Sequence, residues 1–157
     1  IANINCPGQL VISGEELAVV KAMEIAAAKG AKRTIRLKVS GAFHSNLMGS
    51  ALDGMAKVLE TVSFRTPSIP VVGNYSGKPM TSVPEVKDEL INQMCGCVRW
   101  EDSIKYMADA GVNNFIEFGP GNVLTGLAKR IISGVRAFSV NNHESAYQLG
   151  HGTLGSS

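Results

Sequence analysis

Strand-like patterns open the chain. Apolar runs at residues 1–5 and 9–13 flank Cys6-Pro7-Gly8, which is a turn-forming sequence, so a β-hairpin is predicted there. Further on, apolar and polar side chains alternate over residues 34–39. This period of two predicts a half-buried strand.

Apolar stripes at helical spacing predict a series of helices. Ser13 with Glu16, and Ser82 with Glu85, fit capping boxes at two of the helix starts, and Gly30 predicts the end of the first helix. The stripes are Val19, Met23 and Ala26; Leu52, Met55, Leu59 and Val62; Val86, Leu90 and Ile91; Trp100, Ile104 and Met107; and Val123, Leu124, Leu127, Ala128 and Ile131.

Short apolar strands are predicted between the later helices, at residues 69–72, 115–118 and 137–140. Repeated alternation of strand and helix favours a mostly parallel sheet. We therefore expect part of a small α+β lobe over residues 1–40 and an α/β lobe over residues 41–149. Residues 150–157 show no periodicity and are predicted to form a flexible tail.

Composition narrows the function classes. Hydrophobic residues make up 45% and charged residues 18% of the 157, which is ordinary for a globular protein. No apolar run reaches the ~18 residues of a membrane span, so we expect no membrane association. Because cysteines are few and odd in number, we expect a cytoplasmic location. A net charge of +2 is too small to indicate nucleic-acid binding.

The cysteine content indicates a reducing compartment, because the count of three is low and odd. Cys95-Gly96-Cys97 has no histidine or further cysteine at zinc-like spacing. The sequence therefore predicts neither a metal nor a cofactor.

His44 is the first candidate for catalysis. It lies in Ser40-Gly41-Ala42-Phe43-His44-Ser45, between a predicted strand and a predicted helix. A neutral imidazole there can accept a proton from a nucleophile and return it to a leaving group. A lone histidine near a helix start is more often a capping or packing residue. No serine in the chain has the Gly-x-Ser-x-Gly context of a nucleophile elbow.

Two further features have alternative interpretations. Gly119-Pro120-Gly121 lies between a strand and a helix, where backbone N–H groups can bind an anion or simply form a structural turn. A basic cluster is either a solvated strand face or a docking surface for an acidic partner. Its members are Lys29, Lys32, Arg33, Arg36 and Lys38.

Several short motifs occur in a fixed order from about Asn3 to Val140. They are Asn5-Cys6-Pro7-Gly8-Gln9; Gly41-Ala42-Phe43-His44-Ser45; Gln93 followed by Val98-Arg99-Trp100; and Phe115-Ile116-Glu117-Phe118-Gly119-Pro120-Gly121. Jointly, their order and spacing resemble the malonyl-CoA:acyl-carrier-protein transacylase family.

The resemblance implies a fold and three site residues. The fold is part of an α/β-hydrolase-like large subdomain with a partial ferredoxin-like small subdomain. His44 falls on the family's catalytic histidine, which activates a serine, and Gln93 on the residue whose backbone carbonyl receives the other ring N–H. Phe43 falls beside the histidine, where an aromatic ring favours malonyl over methyl-branched units.

The implied reaction moves a malonyl group from malonyl-CoA to the phosphopantetheine thiol of acyl carrier protein. The family's serine elbow, carboxylate-binding arginine and oxyanion-hole glutamine belong to the preceding half. We therefore expect the chain to start inside the small lobe, to require a missing N-terminal segment that carries the serine, and to be inactive alone.

Other interpretations stay open at this point. The chain is alternatively a non-catalytic module that binds carrier protein or coenzyme A, or the acyltransferase domain of a polyketide synthase. A ferredoxin-like nucleic-acid binder is disfavoured, because the basic strand around Arg33 and Arg36 lacks aromatic residues for base stacking.

Overall fold

The computed structural model describes residues 1–152. The helices are α1 Glu16–Ala28, α2 Leu52–Thr61, α3 Val83–Cys95, α4 Trp100–Asp109, α5 Val123–Ile131 and α6 His143–Gly150, with a 3₁₀ helix, Asn46–Ala51, leading into α2. The strands are β1 Asn3–Cys6, β2 Gln9–Val11, β3 Val71–Val72, β4 Pro79–Met80, β5 Asn114–Phe118 and β6 Arg136–Val140. None of the helices in this part of the chain is both long and apolar enough to cross a bilayer.

The strands form two-stranded sheets. β1 pairs with β2 in the predicted hairpin, and β3 pairs with β4 antiparallel. β5 and β6 are parallel, with Asn114 opposite Arg136 and Phe118 opposite Val140, and α5 connects them. The predicted parallel pairing is thus present in this β–α–β unit, whereas β4 was not predicted.

The described chain divides into two compact units. The first comprises Ile1–Ile4 and Leu10–Arg99, and the second comprises Asn5–Gln9 together with the chain from Trp100 onward. In the second unit, the buried residues Ile104, Ala128 and Ala137 form a hydrophobic core between α4, α5 and β6. The predicted boundary between residues 40 and 41 stays a prediction, because the first unit contains residues on both sides of it.

The capping box at α3 is confirmed. The Ser82 hydroxyl accepts a hydrogen bond from the backbone N–H of Glu85, and the Glu85 carboxylate accepts one from the N–H of Ser82. Pro84 occupies the first turn, where its missing N–H removes no helical hydrogen bond.

The capping box predicted at α1 is wrong. The helix begins after Glu15, and no side chain caps it. The reason is register: with the first helical residue at Glu16, Ser13 lies outside the position from which a hydroxyl reaches a free N–H.

The strand predicted for residues 34–39 is also wrong, since this segment has no regular structure. Ile35, Leu37 and Val39 are 59%, 53% and 67% exposed. A strand requires hydrogen bonds from a neighbouring strand, and no strand of the described residues pairs with this segment. Apolar and polar side chains do alternate here, but no part of residues 1–152 buries the apolar ones.

The C-terminal prediction missed α6. Asn142 caps this helix by accepting a hydrogen bond from the N–H of Ser145, whose hydroxyl accepts one from the N–H of Asn142. The helix ends at Gly150, the first residue of the predicted tail, and His151 stacks on Tyr147. Residues 153–157 lie outside the described residues, so flexibility of the tail stays a prediction.

Candidate active site

His44 adopts an unusual backbone conformation. Its φ of 60° is the one positive φ of a non-glycine residue within residues 1–152. The turn around it is fixed by Ser45, whose hydroxyl donates to the carbonyl of Ala42 at 2.7 Å and accepts from the N–H of Leu47 at 3.3 Å. Left-handed backbone at a residue other than glycine concentrates at functional sites, where the surroundings hold it in place.

The C-terminal end of α3 faces this turn. The helix stops because Gly96 is extended, with φ −84° and ψ 157°, so the last carbonyl groups lose their helical donors. His44 supplies replacements: its backbone N–H donates to the Met94 carbonyl at 3.1 Å, and its ring Nδ1 lies 2.7 Å from the Gln93 carbonyl oxygen. One half-buried residue thus caps the end of α3 twice.

This contact defines the chemistry that the imidazole can perform. A carbonyl oxygen only accepts hydrogen bonds, so Nδ1 carries the proton in the neutral ring. Nε2 is then unprotonated and can accept a proton from a hydroxyl or thiol. The contact implied for His44 and Gln93 is therefore observed, whereas their catalytic roles stay a prediction.

Gln93 is also held through its side chain. Its Oε1 accepts a hydrogen bond from the Asn74 side chain at 3.3 Å, and the Asn74 carbonyl accepts one from the N–H of Arg99 at 2.6 Å. Asn74 therefore bonds to Gln93 and to Arg99, the two ends of the segment 93–99.

A buried carboxylate anchors the loop that contains Asn74. Glu89 is 7% exposed, and its two oxygens accept hydrogen bonds from the backbone N–H of Tyr75 at 2.5 Å and of Ser76 at 3.1 Å. Sequence reasoning missed both Asn74 and Glu89. For Glu89 the sequence shows only that it lies one helical turn before Gln93 on the same face of α3, and this spacing does not reveal that Glu89 is buried.

Phe43 remains at the surface. Its side chain is 50% exposed, and the ring lies so close to Gly41 that an added Cβ there would be 3.4 Å from Cε2. Phe43 thus directly precedes His44 in sequence with an exposed ring, and its role in substrate choice stays a prediction.

A carboxylate of the chain itself occupies the N-terminus of the helix that follows the Gly119-Pro120-Gly121 turn. Glu117 accepts hydrogen bonds from the N–H groups of Leu124 at 3.2 Å and Thr125 at 2.8 Å, at the start of α5. Burial raises the pKa of the Glu117 carboxyl, but hydrogen bonds from Thr125, Leu124 and Ser139 outweigh it and hold the pKa below its usual value. This geometry favours the structural interpretation of the turn.

The basic cluster and the cysteines show no assembled site. Arg36 forms an ion pair with Glu16 at 2.5 Å, and residues 31–40 are exposed. Cys95 and Cys97 are free and partly buried. Among residues 1–152, no group of three or more histidine, cysteine or acidic side chains could hold a metal ion. Docking of an acidic partner at the basic cluster stays a prediction.

Comparison with known proteins gives the family. No protein-family profile matches the chain. Over 145 residues, it is 43% identical to the malonyl CoA-acyl carrier protein transacylase of Bacillus subtilis (strain 168), covering 92% of this chain and 46% of that protein. This chain belongs to the malonyl CoA-acyl carrier protein transacylase family. The family resemblance noted in the sequence is confirmed, and the chain spans about half the length of the curated relatives it matches.

Solved structures of the transacylase family share the fold. The acyl-carrier-protein-S-malonyltransferase from Bartonella henselae superposes with a TM-score of 0.89 and 42% identity, over 97% of this chain and 49% of that chain. A malonyl-transacylase in complex with its type II PKS acyl-carrier protein superposes with a TM-score of 0.90 and 41% identity, over 94% and 48%. The α/β class is therefore confirmed.

Proposed function

We propose that this chain supplies the general base of a malonyl-CoA:acyl-carrier-protein transacylase. The observation that carries the proposal is the 2.7 Å contact between His44 Nδ1 and the Gln93 carbonyl, which leaves Nε2 as the proton acceptor. The nucleophile is a serine from a segment outside these 157 residues, because no serine here has glycine two positions away on both sides.

In the first half-reaction, Nε2 of His44 takes the proton of the serine hydroxyl as its oxygen attacks the malonyl thioester carbon. The C–S bond then breaks, and the imidazolium returns the proton to the sulfur of coenzyme A. In the second half-reaction, the ring takes the proton of the carrier-protein thiol, whose sulfur attacks the serine ester. The C–O bond breaks, and the serine oxygen regains the proton. No cofactor is required by this sequence of steps.

The substrates are inferred from the relatives. Those at about 40% identity are named for malonyl-CoA and acyl carrier protein, and one structural neighbour was solved with a carrier protein bound. Phe43 is proposed to restrict the acyl group, because an aromatic residue next to His44 in sequence would leave little room for an α-methyl substituent. We place the reaction in the cytoplasm.

The finer architecture follows from the same inference. Residues 41–149 are proposed to belong to an α/β-hydrolase-like large subdomain, and residues 1–40 to a partial ferredoxin-like small subdomain. The β–α–β unit of β5, α5 and β6 supports the first assignment, and the β1–β2 hairpin followed by α1 is compatible with the second.

Reconstitution tests the proposal. The chain is mixed with the part of the Bacillus subtilis relative that it does not match, and transfer of malonyl from malonyl-CoA to holo-acyl carrier protein is measured. We expect transfer by the mixture and none by either piece alone. His44→Asn should abolish transfer while tolerating the left-handed backbone, whereas His143→Asn, on α6, should leave it unchanged. Carrier-protein or coenzyme A binding with no transfer, once the two pieces have assembled, would instead support a binding module.

A further inference from the structure

Glu89 is a buried acid that the proposed chemistry does not use. We propose that Glu89 is a positioning residue, which holds the end of α3 where the Gln93 carbonyl meets the His44 ring. The inference rests on the proposed function, in which that contact orients the base. Its role is indirect, since the Glu89 oxygens accept hydrogen bonds from Tyr75 and Ser76 and not from the ring of His44.

The environment of Glu89 indicates a specific task. Burying a carboxylate is unfavourable unless hydrogen bonds replace its water, and an apolar side chain would fill the same space without that requirement. Both oxygens are engaged by backbone N–H groups, those of Tyr75 and Ser76, in the loop between β3 and β4. The carboxylate thus ties this loop to α3.

The loop in turn contacts the end of α3 in two places. The ring of Tyr75 lies against Gly96, where an added Cβ would be only 2.2 Å from Tyr75 Cδ2. Gly96 is the residue at which the chain leaves the helix and frees the Gln93 carbonyl. In addition, the Asn74 side chain donates to Gln93 Oε1 at 3.3 Å.

Apart from the Tyr75 ring against Gly96, the loop is not closely packed on α3. A cavity of about 230 Å³ lies between β3, β4 and α3. Apolar side chains, together with Asn74, Glu89 and Gln93, line it; the apolar ones include Val72, Met80, Val86 and Leu90. On the side of this space, the hydrogen bonds of Glu89 and Asn74 rather than side-chain packing connect the loop to α3.

Histidine-selective ¹⁵N labelling measures the effect of Glu89 on the tautomer of His44 directly. The chain has three histidines, so His44 is assigned by its loss in His44→Asn. Nitrogen shifts recorded at about pH 8.5, above the ordinary histidine titration, give the ratio of Nδ1–H to Nε2–H tautomers. The same label reports on His44 in the chain alone and in the reconstituted mixture.

Glu89→Gln keeps the shape and one acceptor oxygen, but turns an NH₂ group toward a backbone N–H. We expect the tautomer ratio of His44 to fall roughly five-fold, the equivalent of one ordinary hydrogen bond. Asn74→Ala, at an exposed position, should shift the ratio in the same direction by less.

Glu85→Gln is the matched control, because Glu85 lies on the same helix and also accepts backbone N–H groups, but at the far end of α3. It should leave the His44 ratio unchanged. An unchanged ratio in Glu89→Gln, or equal changes in both variants, would overturn the positioning role. Absence of malonyl transfer would contradict the proposed function but not the positioning role of Glu89, because the tautomer ratio is measured without catalysis.

Discussion

The ring of His44 and the backbone carbonyl of Gln93 meet at 2.7 Å, although 49 residues separate them in sequence. A carbonyl cannot be protonated at ordinary pH, so it orients the ring without the second titration that a carboxylate would add. The same contact satisfies a carbonyl that the end of α3 leaves without a helical donor. The interaction that caps α3 thus also orients the ring of His44.

The backbone at the end of α3 should therefore matter more than the Gln93 side chain. In Gly96→Ala, the new methyl group would lie 2.2 Å from the Tyr75 ring and 2.7 Å from the Asn92 carbonyl, so the helix end must shift. We expect roughly a 10²-fold loss of kcat for malonyl transfer in the reconstituted enzyme, and a smaller loss for Gln93→Ala. A larger loss in Gln93→Ala would show that the amide itself takes part in the reaction.

Phe43→Ala should relax the choice of acyl group. In the proposed role the ring borders the acyl group, so its removal should open space for an α-methyl group, and one methyl is worth about 1–3 kcal/mol. We expect the ratio of kcat/KM for methylmalonyl-CoA over malonyl-CoA to rise about 10-fold or more in the reconstituted enzyme. Phe64→Ala is the control, because Phe64 is distant from Phe43 in sequence and its ring lies under the ammonium group of Lys87. Equal changes in both variants would show that Phe43 does not determine the choice of acyl group.

Glu117 should make the second unit sensitive to acid. Because its folded pKa is lowered, the carboxylate stabilises the fold above its unfolded pKa of about 4.3, and this contribution is lost as pH falls through the folded pKa. Glu117→Gln should reduce the free energy of unfolding by about 1 kcal/mol at pH 7. The difference should shrink below about pH 4.

Urea unfolding monitored by the fluorescence of Trp100 measures this effect, since Trp100 is the single tryptophan and packs on the core of the same unit. Glu144→Gln, on α6, serves as the comparison. A gap between wild type and Glu117→Gln that stays constant or widens in acid would contradict the capping role.

The exposed apolar side chains should make the isolated chain associate. Leu17 is 85% exposed, and the alternating residues Ile35, Leu37 and Val39 are all more than half exposed. We expect concentration-dependent association in sedimentation experiments and binding of the dye ANS. Replacement of Ile35 and Leu37 by Thr should reduce both. A chain that stays monomeric at every concentration tested and binds no ANS would contradict this expectation.

The sequence predicted elements well where an apolar stripe meets a partner within the chain. The stripe containing Ile104 packs into the core of the second unit, and the predicted helix is present. Residues 34–39 have an equally clear alternation, but no strand within residues 1–152 pairs with them, so the pattern alone did not produce a strand. Sheet structure depends on a partner that local sequence does not specify.

The candidate site was predictable only in part. The motif around His44 and the family resemblance indicated the contact between His44 and the Gln93 carbonyl, which is observed, whereas the role of His44 as the base stays a proposal. Glu89, Asn74 and Glu117 were missed because each acts by accepting or donating hydrogen bonds at a place set by the fold. A buried carboxylate on a helix has the same local sequence signature as an exposed one.

The most direct test of the account is the first half-reaction by itself. The reconstituted enzyme is mixed rapidly with malonyl-CoA in the absence of carrier protein, and release of free coenzyme A is followed. Wild-type chain should give a burst equal to the number of assembled sites, whereas His44→Asn should slow the burst by about 10²-fold or more. An undiminished burst rate in His44→Asn would contradict the claim that this chain supplies the base.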